Sequence, residues 1–273
     1  MTQRSGSGST SLSAAAKVVG EDTHHPGTVA VVGGGRLGSV LVQALRAAGY
    51  PCSGPHPRGY PGEPGDGIVL LCVPDAAIAS AAALIRPGPL VGHCSGATGL
   101  SALGSRRGFS MHPVMTFTAQ TSPDVLAGTA AAVAGTDPPA LAVARDLARR
   151  LGMRPFTVAE SDRTAYHAAT AMAANFLVTL ESAAAALLRT AGIDRAVLLP
   201  LARAALENWG VQGAAALTGP VARGDRAVVD SHRQVVAART PELLPMFDAL
   251  VVSTHQLAQS HPDETSSSTG TTQ

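Results

Sequence analysis

The chain has 273 residues, a formal net charge of +1 at pH 7 and 3% aromatic residues. A charge this small and so few aromatic rings leave neither a basic field nor stacking surfaces, which argues against nucleic acid and acidic membranes as partners. A chain of this length can bury a sizeable core and suggests two domains.

Both termini are polar and low in complexity, which predicts disordered tails at residues 1–27 and 260–273. The first tail makes a poor signal peptide because Lys17 interrupts its short apolar segment. No stretch approaches about 18 apolar residues without a charge, so we expect no membrane-spanning helix. Three cysteines without CxxC spacing are typical of reduced thiols and indicate a cytoplasmic protein.

The first half of the chain alternates strand and helix signals. A β-branched run at 28–32 ends in glycines, and helical spacing follows over 37–49. Further strands are predicted at 68–75, 89–96, 108–113, 129–135 and 154–158. Helices are predicted between some of them, at 76–86 and 138–151. This alternation predicts an α/β domain over 28–159 with a mostly parallel sheet covered on both faces.

Strand signals disappear after Ser161. Helical patterns occupy the second half, at 162–191, 194–209, 225–238 and 241–259. The sequence therefore predicts an all-α domain over 160–259.

The segment GGGRLG places three glycines in GxGxxG spacing between the first strand and the first helix. Such glycines allow a tight turn and a close approach of the main chain, so that a pyrophosphate can lie against the N-terminus of the helix. We therefore predict a dinucleotide site in a Rossmann-type sheet, with the cofactor-binding residues Gly33, Gly35, Arg36, Leu37, Gly38, Arg58, Val73 and Pro74.

Arg58 determines the predicted cofactor. At the end of a second strand, a carboxylate selects NAD and an arginine accommodates the 2′-phosphate of NADP. The sequence offers His56 and Arg58 there, and no acidic residue before Glu63. NADPH is the expected cofactor, and Arg36 is a second candidate for phosphate contact.

Several segments, in order, resemble a family of Rossmann-like bacterial reductases with a helical C-terminal domain of formerly unknown function. The similarity covers residues 28 to about 256, through VVGGGRLG, LLCVPDAAI, HCSGATGLSAL, SMHPVMTF, YHAATAMAANFLVTL, LLPLARAALEN and ALTGPVARGD. This family is similar to pyrroline-5-carboxylate reductase and to the 6-phosphogluconate-dehydrogenase-like group. The resemblance implies a homodimer, and some family members act as an alternative ketopantoate reductase.

The chain departs from related enzymes in two places. Residues 50–67 leave no room for the helix that usually follows the second strand, so the adenine side of the site is expected to be incomplete. Related hydroxyacid dehydrogenases and the better-known ketopantoate reductase carry a lysine one turn before an asparagine. Here the asparagine matches Asn175, but the lysine position is Ala171.

Reduction of a carbonyl or an imine requires a proton donor beside the nicotinamide. His167 and Asn175 lie eight residues apart on a predicted helix and share roughly one side of it. We predict His167 as the general acid and Asn175 as the residue that orients the substrate, with packing of His167 at the domain junction as the alternative. Tyr166 is predicted to pack.

The segment TGPVARGD places a polar turn after the alanine-rich helices. Thr218 and the planar fork of Arg223 suit a carboxylate, while Asp225 either caps the next helix or holds Arg223. A similar turn binds the substrate carboxylate in pyrroline-5-carboxylate reductases, so this resemblance implies a carboxylate substrate. The alternative is an Arg223–Asp225 ion pair that fixes the loop.

Ser95 and His112 end predicted strands at the edge of the sheet where ligands bind, and both are candidate substrate-binding residues. For His112 a buried structural role is equally open, and His93 is predicted to lie in the core. The remaining histidines show no metal-site spacing, so no metal is predicted.

The sequence therefore predicts an NADPH-dependent reductase of a small 2-oxo acid, with ketopantoate (2-dehydropantoate) as the leading substrate. The alternatives are a reductase of a cyclic imine such as pyrroline carboxylate and a non-catalytic NADP(H) sensor.

Overall fold

The computed structural model describes residues 27–260, so nearly all of both predicted tails lies outside the described residues. The described chain forms two compact units, residues 27–168 and 169–260. The first unit therefore ends nine residues after residue 159, the predicted end of the α/β domain.

A seven-stranded sheet organises the first unit. Its strands lie in the order β2-β1-β3-β4-β5-β6-β7, and every neighbouring pair is parallel except β5 and β6. The strands are β1 (Thr28–Val32), β2 (Cys52–His56), β3 (Asp66–Leu71), β4 (Leu90–His93), β5 (Gly108–Pro113), β6 (Ala130–Gly135) and β7 (Arg154–Thr157). The predicted mostly parallel sheet is confirmed.

Helices cover both faces of this sheet. Side chains point alternately to the two faces along each strand, and the apolar side chains on each face are buried against helices. Ile68 and Leu70 of β3 belong to one apolar core, and Val69 and Leu71 belong to the other. The helices of this unit are α1 (Arg36–Ala47), α2 (Ile78–Leu84), α3 (Pro138–Arg150) and the first part of α4 (Arg163–Ala171). The first core packs against α1 and α3, and the second against α2.

The link between β2 and β3 contains no helix. Instead, the ring of Tyr60 stacks on His56 with the centroids 3.8 Å apart, and its hydroxyl donates to Asp66 over 2.7 Å. These contacts fold the short connection against the end of β2.

The second unit is helical throughout its regular structure. Its helices are the end of α4, a π-helical segment at Met172–Phe176, α5 (Leu177–Arg189), α6 (Leu199–Gln212), α7 (Arg226–Arg239) and α8 (Leu244–Ser260). Among the described residues of this unit, only Val236 and Thr240 are fully buried. Helices with so few buried side chains lack a core of their own.

One helical run of the described chain, Glu160–Arg189, is long and apolar enough to cross a membrane. The expectation of no membrane-spanning helix stays a prediction, because this run qualifies by length and composition only. The mean hydropathy of its best 18-residue window is 1.6, and none of that window is buried. Length and composition alone are weak evidence for a membrane, because they also describe an apolar helix covered by another protein surface.

Candidate functional site

The glycine loop between β1 and α1 has the close main-chain contacts that its spacing predicted. Gly33 has φ +109°, and a Cβ at this position would overlap the carbonyl oxygen of Cys72. A Cβ at Gly38 would overlap the carbonyl oxygen of Gly33. These two glycines are therefore needed for the fold of the loop itself, with or without a ligand.

Gly35 differs from its two neighbours in this loop. It precedes α1 with φ −73° and ψ −177°, a conformation that any residue adopts. No atom lies within 4 Å of a Cβ built there. No side chain of the described residues caps the helix, so its first N–H groups have no side-chain partner there and would stabilise a phosphate.

The other predicted cofactor residues lie in the first unit, after the C-terminal ends of β1, β2 and β3. Val73 lies next to the loop, since its Cγ1 would be 3.4 Å from a Cβ at Gly33. Leu37 packs partly buried against the core, whereas Arg36, Arg58 and Pro74 are exposed. The main-chain groups and the apolar border fit a dinucleotide, and both arginines are accessible to an additional phosphate.

Ser95 has a structural partner in the turn after β4. Its Oγ accepts hydrogen bonds from the N–H groups of Ala97 and Thr98, over 3.1 and 2.8 Å. The side chain is almost completely buried. Its lone pairs therefore hold the turn, and its hydroxyl hydrogen is the group that it can offer to a ligand.

Next to this turn, His112 of β5 is hydrogen-bonded to Tyr166 of α4. The distance from His112 Nδ1 to the Tyr166 hydroxyl oxygen is 2.7 Å, and both side chains are partly buried. The interpretation of Tyr166 as a packing residue misses this bond. Helical spacing in the sequence predicts the face of the helix on which a residue lies, but it does not predict which polar group of the sheet lies opposite that residue.

Gly96 makes room for a pair of histidines. A Cβ at this position would lie 2.9 Å from His112 Nδ1 and 2.9 Å from His167 Cδ2. The two imidazole centroids are 6.2 Å apart. The sequence motif HCSGATG includes Gly96, but nothing in the sequence alone indicates that two rings pack against it.

A buried cation lies close enough to His112 to affect its charge. Arg163 is 5% exposed, and its guanidinium bonds to Ser110 Oγ at 3.3 Å and to Glu160 at 3.2 Å. Burial, the neighbouring His167 and Arg163 lower the pKa of His112 to about 4, although Asp75 opposes the shift. Burial also raises the pKa of the Tyr166 phenol. At neutral pH His112 is therefore uncharged and Tyr166 carries its proton.

His93 is fully buried, as predicted. Its Nδ1 accepts a hydrogen bond from the N–H of Ser95 over 3.3 Å, while Nε2 has no hydrogen-bond partner. Burial and the charge of Arg163 lower its pKa to about 4. His93 therefore supports the Ser95 turn as a neutral group.

The structure changes the relation predicted between His167 and Asn175. A π-helical segment at Met172–Phe176 contains Asn175, so the regular helical spacing used to place both residues on one side does not hold. Asn175 is exposed in the second unit.

The polar turn of the second unit is closed by its main chain. The N–H of Asp225 donates to the carbonyl of Pro220 over 2.8 Å, and Gly219 has φ +102°. Asp225 precedes α7, and its Oδ1 accepts from the N–H of Val228 over 3.4 Å, which confirms the predicted cap. The ion pairs of residues 27–260 do not include Arg223 with Asp225. Thr218 and Arg223 are exposed.

Comparison with known proteins supports the architecture. The chain has a Rossmann-type fold with a C-terminal helical domain. Residues 129–254 match a family model described as a domain of unknown function, DUF2520. No curated protein sequence matches the chain significantly.

Three solved structures share the fold over nearly their whole length. A candidate NADP oxidoreductase of Bacteroides fragilis is 20% identical with a TM-score of 0.73, and the match covers 84% of this chain and 98% of that one. A reductive aminase of Aspergillus terreus, in complex with NADPH and ethyl levulinate, is 13% identical with a TM-score of 0.62 and covers 85% and 97%. Pyrroline carboxylate reductase of Plasmodium falciparum, with NADP bound, is 12% identical with a TM-score of 0.54 and covers 86% and 99%.

Proposed function

We propose that this protein is an NADPH-dependent reductase that acts on a small 2-oxo acid, with ketopantoate as the leading candidate. The observation that carries the proposal is the open space around Gly35 at the uncapped N-terminus of α1. The fold alone does not require a glycine there, whereas a pyrophosphate against the helix does. Proteins of similar fold that bind NADP or NADPH support the same cofactor.

In this proposal the N–H groups of the glycine loop bind the pyrophosphate of the cofactor. Arg58 binds the 2′-phosphate, with Arg36 as a second phosphate contact. Leu37, Val73 and Pro74 border the cofactor. Bound NADPH supplies the hydride.

The charge of Arg163 favours a carbonyl over an iminium as the group reduced. Burial is the main reason why the pKa values of His93 and His112 are low, and the charge of Arg163 lowers both further, so this cation disfavours additional positive charge at this edge of the sheet. A carbonyl oxygen becomes negative as it is reduced, whereas an iminium is already cationic. A cyclic imine, the substrate class of the Plasmodium enzyme, is therefore the second candidate.

Substrate recognition is assigned to polar groups on both units. His167 is the general acid predicted from the sequence, and Asn175 is proposed to orient the substrate. Ser95 and His112 are proposed substrate contacts in the first unit. In the second unit, we propose that the exposed Thr218 and Arg223 bind a carboxylate, while Asp225 holds the turn by capping α7.

We also propose that the protein is a cytoplasmic homodimer whose helical units cover one another. Val178, Leu201, Trp209 and Val211 are each 65% exposed or more, which is costly unless another surface covers them. A groove of about 770 Å³ between α5 and α6 has a mainly apolar lining that also includes two acidic and two basic side chains, Glu181, Asp194, Arg195 and Arg203. A two-fold interface needs a self-complementary surface, and balanced charges of this kind provide one.

The catalytic proposal is tested by following NADPH oxidation with 2-oxo acids, including ketopantoate, and with cyclic imines. We expect turnover with oxo acids. Faster turnover with imines would replace the substrate assignment. NADPH binding without oxidation by either class would indicate a sensor and would contradict the reductase.

A further inference from the structure

The hydrogen bond between His112 and Tyr166 joins the sheet to the first helix that follows it. The ring nitrogen and the phenol oxygen are 2.7 Å apart, and the rings meet edge to face. Phe156 also meets the phenol ring edge to face, with the centroids 5.9 Å apart. Gly96 leaves space for the imidazole. Residues of β5, β7, α4 and the turn at Gly96 therefore fix this pair.

The pair holds a proton that can lie on either partner. A neutral imidazole carries one hydrogen, either on Nδ1 or on Nε2. If Nδ1 carries it, the imidazole donates to the phenol oxygen, and the Tyr166 O–H is free to donate elsewhere. The charged and titratable groups around His112 are Asp75, Arg163, Tyr166 and His167. Burial, with smaller contributions from His167 and Arg163, lowers the pKa of His112 and keeps the imidazole neutral at neutral pH.

We propose that Tyr166 is the proton donor of the reductase and that His112 is the positioning residue that restores its proton. The assignment rests on the proposed function and replaces His167 as the acid. Tyr166 is suited to the role because its phenol is partly accessible and its hydrogen bond to His112 both orients it and supplies a hydrogen.

The proton balance of the step is complete. The Tyr166 O–H bond breaks as an O–H bond forms on the substrate oxygen, while the hydride adds to the carbonyl carbon. The Nδ1 hydrogen of His112 moves to the phenol oxygen, and Nε2 takes up a proton from the solvent, the one proton that the reduction consumes overall. The imidazole begins and ends this step neutral, as opposite tautomers, so no charge has to be buried beside Arg163. Exchange of the ring hydrogen with solvent returns it to Nδ1 before the next turnover.

The chain provides a matched control, because its three tyrosines are Tyr50, Tyr60 and Tyr166. Tyr166→Phe keeps the ring and removes only the hydroxyl. We expect kcat to fall by about 100- to 10,000-fold, the usual contribution of a general acid, with NADPH affinity unchanged. Tyr50→Phe removes a hydroxyl bonded to Asp146, on the α3 side of the sheet, and should leave kcat unchanged. His112→Asn should lower kcat less than Tyr166→Phe does, because it retains a polar group but no second tautomer.

A second readout requires neither substrate nor cofactor. The ¹⁵N NMR signals of the His112 ring report its charge and its tautomer. We expect a neutral ring at neutral pH, and a change of tautomer populations in Tyr166→Phe but not in Tyr50→Phe. A cationic His112 ring, or tautomer populations that stay the same in Tyr166→Phe, would contradict the proposal that His112 and Tyr166 share a proton.

The outcomes separate this assignment from the function on which it rests. A wild-type protein that does not bind NADPH overturns both. NADPH-dependent turnover that survives Tyr166→Phe, or that falls further in His167→Gln than in Tyr166→Phe, overturns only the assignment of the donor.

Discussion

The main-chain N–H of Gly33 donates a hydrogen bond to the carbonyl oxygen of His56 over 2.8 Å. This bond ties the first glycine of the loop to the last residue of β2. Arg58 follows that strand end by two residues and is exposed. The missing helix between β2 and β3 therefore does not remove the strand end at which we propose that the 2′-phosphate of NADP binds.

Arg58→Ala tests the preference for NADPH over NADH. We expect the Kd for NADPH to rise about tenfold or more, equivalent to about 1.4 kcal/mol, while the weaker binding of NADH hardly changes. Fluorescence titration of both cofactors measures this difference. Arg86→Ala, at another exposed arginine of the same unit, is the control. An equal loss for both cofactors would count against a 2′-phosphate contact, and Arg36→Ala would then be examined.

The two neutral histidines predict a loss of stability in acid. Their folded-state pKa values of about 4 lie below the ordinary value of 6.5, so between these values the unfolded chain binds more protons than the folded one. The free energy of unfolding should fall as the pH drops through this window, by roughly 2 kcal/mol for each histidine at about pH 5. Urea unfolding at several pH values measures the slope. His93→Asn should reduce that slope, and an unchanged slope would show that His93 does not contribute.

Leu201→Glu tests the proposed dimer. Leu201 is 68% exposed on α6, and a charge there would have to be buried at the interface of the two helical units. We expect sedimentation to show a dimer for the wild type and a monomer for the variant. The single tryptophan, Trp209, should shift its emission to longer wavelength on dissociation.

The control for this experiment is Leu84→Glu, at a 53% exposed leucine that ends α2 of the first unit. It should remain dimeric. A monomeric wild type, or partition of the wild type into lipid vesicles, would contradict the homodimer, and the second result would give the apolar run Glu160–Arg189 a membrane role.

The polar turn predicts different effects for its two charged residues. Asp225→Ala removes a helix cap and should lower the free energy of unfolding by about 1 kcal/mol. Arg223→Ala should leave stability unchanged and raise KM for the oxo acid about tenfold, with Arg226→Ala as the exposed control. Thermal unfolding and steady-state kinetics give both values. Equal destabilisation by Arg223→Ala and Asp225→Ala would favour an Arg223–Asp225 ion pair instead.

The sequence predicted the sheet well because its strands carry strong local signals. β1 and β5 have the bounds that were predicted, and their β-branched or apolar runs end at turn residues. The glycine loop was equally predictable, because its spacing reflects close main-chain contacts that only glycine allows. Asp225 was recognisable as a cap from its place before a helical run.

The candidate site was less predictable because it depends on contacts between distant segments. His112 and Tyr166 are 54 residues apart, and their hydrogen bond depends on how α4 packs against β5. Arg163 is an arginine at the start of a helix, a position that usually faces solvent, and its burial becomes visible only in the fold. The π-helical segment around Asn175 shows the same limit, since no residue pattern distinguished it from the flanking α-helix.

Gly35→Ala is the sharpest test of whether a dinucleotide binds at the N-terminus of α1. The main chain at Gly35 accepts alanine and the added Cβ meets no protein atom, so thermal unfolding should not change. Gly210→Ala, at an exposed glycine of α6 with open space around it, is the matched control. We expect tight NADPH binding by the wild type and Gly210→Ala, and a loss of about tenfold or more in Gly35→Ala. Undiminished NADPH affinity in a folded Gly35→Ala, or no NADPH binding by the wild type, would contradict the account.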